Sequence, residues 1–220
     1  MRVLSVDTAG PVVGVGLFWE GQVTQRYERV RRGAEALLVP WAQELLAEVS
    51  GGFGDLDGVA VARGPGAFTG VRVGMATAAG WSLAAKVPLW GCSSLVSRGV
   101  RACSGKAPVL SLLDARKGRV YASLVDANGS EIRGPLDVEI GEAIGDLGPG
   151  FICTGEGALV FAEAIEAAGG ILAHEADHVA VDVLARLGAS AIEAGRGQDP
   201  GHVFPEYVRQ PDAKKTKDRK

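Results

Sequence analysis

The apolar and polar positions change period along the chain, and the changes mark its elements. Residues 2–6 read as a strand that ends at Asp7-Thr8, and a turn at Ala9-Gly10-Pro11 leads into a β-rich run over 12–18, interrupted by the small Gly14 and Gly16. Trp19-Glu20-Gly21 is a hairpin signal before a third strand over 22–29. The period then becomes helical. Leu37, Leu38, Trp41, Ala42, Leu45, Leu46 and Val49 recur at helical spacing over 34–49. They cover an arc of roughly 200°, with Gln43, Glu44 and Ala47 opposite, whereas a helix packed only on its own sheet needs about half of that. The excess predicts a second packing partner for this helix.

Gly51-Gly52-Phe53-Gly54 ends it, and a short buried strand follows over 58–62. After Arg63-Gly64-Pro65-Gly66-Ala67-Phe68-Thr69-Gly70 a second helix is predicted over 71–86, with Gly74, Ala76, Ala78, Ala79, Gly80, Ala84 and Ala85 and no charge between Arg72 and Lys86. Two interior glycines disfavour a helix by about 1 kcal/mol each, so close packing has to offset them. A strand over 87–90 and a helix over 93–103 complete this half, and Ser104-Gly105-Lys106-Ala107-Pro108 reads as a junction. The order then begins again. A strand over 109–113 ends in Asp114, a tight turn leads to a strand over 119–125, and Asp126-Ala127-Asn128-Gly129 turns into a third strand near Glu131. Helices over 141–147, 155–168 and 180–194 alternate with short strands. Strand, hairpin, strand, helix, strand, helix thus occurs twice. The expectation is an α/β chain of two lobes, 1–105 and 106–212, each a mixed sheet with helices, followed by a tail at 213–220.

Composition narrows the class. The 220 residues are 47% hydrophobic and 22% charged, with 32 glycines, which describes a tightly turned globular protein. No apolar run approaches a membrane span, no signal peptide is visible, and Cys92, Cys103 and Cys153 lack CxxC spacing; buried thiols in a reducing cytoplasm are expected. The net charge is −3, but residues 213–220 carry five cations against Asp218, so the body carries −7. Such a body is a poor nucleic-acid binder, and the Lys-rich tail reads first as a disordered, solubilising end.

Candidate chemistry is sparse. Asp7 and Asp114 each end a first strand, where a duplicated nucleotide-binding fold would hold a metal–phosphate group; each also suits an Asp that caps a turn. The Gly64–Gly70 loop offers positive-φ turns and the N–H groups of the following helix, an anion site, or else a rigid turn. It matches neither a Walker A loop nor GxGxxG. Asp7, Thr8, Gly64, Gly66, Thr69 and Asp114 form the candidate nucleotide or anion pocket. His174 and His178 have i, i+4 spacing in a stretch that reads as loop, without HExxH, and no metal site is expected there. No catalytic residue is assigned.

Asp7-Thr8-Ala9, the stretch from Arg63 to Gly74, Leu113-Asp114-Ala115-Arg116-Lys117-Gly118-Arg119-Val120-Tyr121 and Pro205-Glu206-Tyr207-Val208-Arg209 together resemble the TsaB family, also called YeaZ. The resemblance implies an actin/hexokinase-like (ASKHA) fold of two ribonuclease-H-like lobes. It implies an inactive paralogue and activator of TsaD in making N6-threonylcarbamoyladenosine on ANN-decoding tRNAs. TsaD, the TsaE ATPase, a homodimer when alone, and tRNA through the complex are then the partners. Metal and ATP are used by those partners; the chain has no cofactor of its own, with weak ATP or ADP binding in the cleft left open. The TsaD contact is assigned to the first two helices, at Leu37, Leu38, Trp41, Leu45, Val73, Gly74, Thr77 and Trp81, on a surface shared with the homodimer. The paralogue's metal-binding histidine pair is read as absent. Where the family usually starts the first helix with His-Ser-Glu, this chain has Gly33-Ala34-Glu35. The competing reading is a small-molecule kinase or ATPase acting at Asp7 and Asp114; a metallopeptidase lacks a zinc-ligand set.

Overall fold

The computed structural model describes residues 1–209. Ten strands and seven α-helices build two five-stranded mixed sheets among these residues. The first contains β1 (Arg2–Asp7), β2 (Val12–Trp19), β3 (Gln22–Arg29), β4 (Gly58–Ala62) and β5 (Leu89–Cys92), in the order β3-β2-β1-β4-β5. β1 pairs antiparallel with β2 and parallel with β4. The second contains β6 (Val109–Arg116), β7 (Arg119–Val125), β8 (Glu131–Glu139), β9 (Ile152–Thr154) and β10 (Ile171–Leu172), in the order β10-β9-β6-β7-β8. Its pairings repeat the first: β6 is antiparallel to β7 and parallel to β9. This doubled order is the ribonuclease-H-like arrangement of an actin/hexokinase-like fold.

Side-chain alternation sorts each strand between two layers. Leu4 and Val6 of β1 join Leu38, Ala42, Leu45 and Leu46 of α1 (Glu35–Glu48) and Val71, Met75, Ala78 and Trp81 of α2 (Phe68–Ala85) in one core. Val3 faces the other way, with Ala60 and Ala62, toward Leu184 and Ala189 of α7 (Val181–Glu193). In the second sheet Leu110, Leu112, Val120 and Ala122 pack with Ala158 of α5 (Glu156–Val160) and Ile165 of α6 (Ala162–Ala167), and α4 (Ile140–Ile144) contributes Ala143 and Ile144. The opposite face of that sheet is covered by α3 (Ser94–Ala102).

The linear boundary at 105/106 therefore divides the strands but not the helices. α3, from the first half of the chain, packs on β6, β7 and β9, while α7, from the second half, packs on all five strands of the first sheet. The two helices meet between the sheets. Helix periodicity says how much of a helix is apolar and not which sheet takes it, so the order of elements along the chain leaves both packings open. Two smaller differences have local causes. α2 begins at Phe68, because Gly70 lies inside the helix against the backbone of Thr8. The helix expected over 155–168 breaks at Phe161 into α5 and α6. The tail expected at 213–220 lies outside the described residues.

Burial explains the cysteines. Among the described residues all three are free, and burial pushes the thiols of Cys92 and Cys153 up to about 12. Cys103 is half-buried. We expect Ellman's reagent at pH 8 to titrate Cys103 alone in the folded protein and all three thiols after denaturation, since a thiol near 12 is about 10⁻⁴ thiolate at that pH. Fast labelling of two or more native thiols would contradict the packing of β5 and β9.

Candidate functional site

A cleft of about 1040 Å³ runs between the lobes. Thr8, Gly66, Thr69 and Asp114 line it together, as do Arg31, Arg32, Phe68, Tyr121, Glu156 and Tyr207. Asp7 lies behind its wall, 1% exposed, and Gly64 is tucked under the C-terminal segment.

Asp7 is already occupied. Its Oδ1 accepts the Ala9 N–H at 2.8 Å, and its Oδ2 accepts from Arg98 Nη1 at 2.6 Å, with both side chains buried. Its charge is balanced by a buried guanidinium and both oxygens are held by the chain itself, which disfavours a further cation at Asp7. Asp114 follows the turn-capping alternative: its Oδ1 accepts the Arg116 N–H at 2.8 Å and its Oδ2 lies 3.1 Å from Arg116 Nη1. The glycine loop is a packing device. A Cβ on Gly66 would meet the Ala9 carbonyl at 2.4 Å, and one on Gly70 the Thr8 carbonyl at 2.1 Å. Thr8 Oγ1 donates to the Gly70 carbonyl at 2.6 Å, which ties the start of α2 to the β1–β2 turn. The rigid-turn alternative accounts for these contacts; Thr69 alone of the loop's candidate residues projects into solvent.

Sequence reasoning missed two residues here, Glu156 in the lining of the cleft and Arg98 buried behind its wall. Arg98 is 2% exposed on α3, among Ser94, Leu95, Ser97 and Gly99. Burial pushes the Glu156 carboxyl up, against the pull of Arg98 and of the backbone N–H groups of Glu156 and Asp114, while the Asp7 charge adds to the push. Glu156 carried a signal in its setting, an acid between Gly155 and Gly157 directly after a strand; Arg98 carried none that separates it from Arg101.

The segment from 203 to 209 straps the cleft. Glu206 N–H donates to the Arg63 carbonyl at 2.7 Å on one lobe. Arg209 holds Asp137 through Nε at 2.6 Å and Nη2 at 2.9 Å on the other. Between them Arg72 stacks on the Phe68 ring at 3.7 Å and donates to the Tyr207 hydroxyl at 3.0 Å. Hydrogen bonding from Arg209 holds the Asp137 carboxyl below its usual range, with Arg119 adding to it against the opposing effect of burial. The folded pKa is depressed, so this tie contributes fully at neutral pH and is lost as pH falls through the depressed value. Asp137→Asn should lower stability by about 1–2 kcal/mol at pH 7, and the gap between urea melts of the two proteins should narrow as pH falls below the ordinary carboxylate range.

The helix surface differs from the contact set expected from sequence. Leu38, Leu45, Gly74 and Trp81 are buried inside the lobe, and a Cβ on Gly74 would meet Thr8 Oγ1 at 2.4 Å. Leu37, Trp41, Val73 and Thr77 remain partly exposed. The face turned outward is carried instead by Ala36, Pro40, Gln43 and Ala47 on α1 and by Ala76, Gly80, Leu83 and Ala84 on α2. Leu83 is 65% exposed, and a Cβ on Gly80 would have nothing within 4 Å. His174 and His178 do have HxxxH spacing, yet His178 is buried, with Nδ1 against the Val179 carbonyl and its ring 4.1 Å from Tyr27, while His174 is exposed. Among the described residues no group of three His, Cys, Asp or Glu could hold a metal ion, and no helix is long and apolar enough to cross a membrane.

The family model described as "TsaD: tRNA N6-adenosine threonylcarbamoyltransferase" matches residues 28–150, more than half of the chain. The chain is 37% identical over 123 residues to the tRNA threonylcarbamoyladenosine biosynthesis protein TsaB of Escherichia coli, covering 55% of this chain and 53% of that one. The chain belongs to the TsaB/YeaZ family. An uncharacterised protein of Mycobacterium tuberculosis is 34% identical over 153 residues, 66% of this chain and 71% of that one. The solved YeaZ structure from Pseudomonas aeruginosa has a TM-score of 0.80 at 24% identity, over 94% of this chain and 99% of that one, and so shares the fold. The chain spans about half the length of the TsaB relatives it matches in E. coli and Haemophilus influenzae, 53% and 54%. As a TsaB/YeaZ chain, its two surfaces of interest are the cleft between the lobes and the outer face of α1 and α2.

Proposed function

We propose that the chain is a non-catalytic subunit of tRNA threonylcarbamoyladenosine biosynthesis that binds and activates a TsaD-type transferase through the outer face of α1 and α2. The observation that carries this reading is that face: uncharged from Val73 to Ala85 on α2, and left uncovered among the described residues. A helix surface of alanine and glycine lets another helix approach closely, and leaving it in water gains nothing. Asp7, one of the two acids expected to hold a metal–phosphate group, lies behind the cleft wall and is paired with Arg98, which supports a role without catalysis. A TsaE-type ATPase joins the complex, tRNA is reached through it, and metal and ATP belong to the partners. A second copy of the chain competes for the same face when the transferase is absent. The setting is the cytoplasm.

The test is threonylcarbamoyl transfer to tRNA in a mixture of TsaD, TsaE and a source of threonylcarbamoyl-adenylate. Transfer should require the chain; transfer that proceeds equally well without it overturns the reading. The alternative, a small-molecule kinase or ATPase at Asp7 and Asp114, requires metal-dependent nucleotide turnover by the purified chain that Asp7→Asn abolishes.

A further inference from the structure

β5 is an edge strand of the first sheet, and its outer side is paired at one residue only. Val59 N–H donates to the Pro88 carbonyl at 3.0 Å and Arg63 N–H to the Cys92 carbonyl at 2.9 Å. The even-numbered residues therefore turn their backbone groups toward β4, and Leu89 and Gly91 turn theirs outward. Leu89 exchanges two bonds of 2.8 Å with Gln198. Arg196 is the residue that would continue this antiparallel ladder opposite Gly91, but its N–H is committed to the Ala191 carbonyl of α7 at 2.8 Å. The ladder stops there, and among the described residues Gly91 has no backbone partner across that edge. A groove of about 330 Å³ opens at this place and shares no lining residue with the cleft between the lobes. Arg63, Arg196 and His202 line it, and no carboxylate does. Arg196 and His202 are exposed, and their side chains make no hydrogen bond or ion pair among the described residues. Arg63 is drawn across Gly91, where a Cβ would meet its Cδ at 3.2 Å, and its ion pair with Glu206 is long, at 3.5 Å. Asp199, the acid between Arg196 and His202 in sequence, accepts the Gly201 N–H at 2.8 Å. Flat apolar surface adjoins the cations. Trp90 is held against α7, its Cε3 3.6 Å from where a Cβ on Gly188 would lie, and Phe204 is 65% exposed beside it in the groove.

We infer that this groove binds a nucleotide by its phosphate, with Arg63, Arg196, His202 and the outward N–H of Gly91 as donors and the base laid on Phe204. A phosphate has oxygens enough for two planar guanidinium groups and a backbone donor together. A base supplies the flat partner that an exposed phenylalanine lacks in water. An added peptide strand does not fit, because the chain's own Gln198 already stands beside β5. The phosphate belongs to a free nucleotide or to a residue of single-stranded RNA, two sources of one chemistry. No residue of α1 or α2 lines the groove, so the inference stands apart from the partner reading above.

The experiment titrates the ¹⁵N-labelled full chain with inorganic phosphate, adenosine and AMP and follows the Gly91 amide and the Trp90 indole by NMR. The proteins are wild type, Arg196→Ala/His202→Ala and Phe204→Ala, all changed at exposed positions. Both signals should move and saturate with AMP, and adenosine should bind about tenfold more weakly. Arg196→Ala/His202→Ala should weaken AMP and phosphate by about 10- to 100-fold. Phe204→Ala should weaken AMP by about fivefold or more and leave phosphate unchanged. Penta-adenylate that displaces AMP at a lower concentration than AMP itself requires assigns the phosphate to RNA; displacement only at a higher one assigns it to a free nucleotide. AMP binding that survives Arg196→Ala/His202→Ala unchanged overturns the proposal, as does a wild type whose Gly91 and Trp90 signals do not respond up to about 10 mM AMP.

Discussion

Arg98→Ala is expected to lower the unfolding free energy by about 3–5 kcal/mol, the largest single-site loss this fold offers outside its apolar core. The reason is what stays behind. Asp7 is 1% exposed and its Oδ2 has Arg98 as its ion-pair partner at 2.6 Å. Truncation of the arginine leaves Asp7 and the nearby Glu156 as two carboxylates at one buried site with no cation. Removing the charges together should cost less, because a buried ion pair owes much of its apparent strength to the desolvation suffered by a survivor. Urea unfolding of Arg98→Ala, Asp7→Asn and the Asp7→Asn/Arg98→Met double variant forms a cycle that separates the pair from its parts. A loss below about 1 kcal/mol for Arg98→Ala would show that water reaches Asp7 and that the wall of the cleft is open.

The second large effect is on association. Gly80→Arg should leave the unfolding free energy of the isolated chain within about 0.5 kcal/mol of wild type or slightly above it, since the position is open and arginine is the better helix former. The same change should weaken binding to the transferase by about 2–4 kcal/mol, roughly 30- to 1000-fold, by placing a long charged side chain where a close helix contact is proposed. Leu45→Ala is the contrasting control. Leu45 is fully buried in the lobe's own core, so its truncation should cost about 2–5 kcal/mol of folding stability. Binding measured by titration calorimetry that is unchanged in Gly80→Arg would move the contact away from α2.

The architecture was legible in the sequence because its signals are local. Period changes, the hairpin at Trp19-Glu20-Gly21 and the repeated strand ending in Asp placed both sheets without knowledge of what touches what. The helix surfaces were half legible. The wide apolar arc of α1 exceeded what one sheet needs, but Leu38 and Leu45 could not be told from Leu37 and Trp41 by spacing alone. Only the positions of the sheet and of α2 decide which side of the arc is inside. The inner cleft was least legible. Asp7 stood out, yet its partner Arg98 is 91 residues away in sequence, and nothing local distinguishes an arginine that will be buried. The glycines at 66 and 70 announced a close approach; that the approaching group is the chain's own backbone and not a phosphate is a tertiary fact.

The crossing of α3 and α7 bears on how the molecule comes apart. A fragment ending near residue 105 would carry β1–β5 without α7, leaving Val3, Ala60 and Ala62 facing water, and its α3 would have no second sheet to cover. The complementary fragment would carry α7 with no first sheet beneath it. Neither half contains the material to close its own interior. The two lobes, for all their internal symmetry, are thus expected to unfold as one cooperative unit.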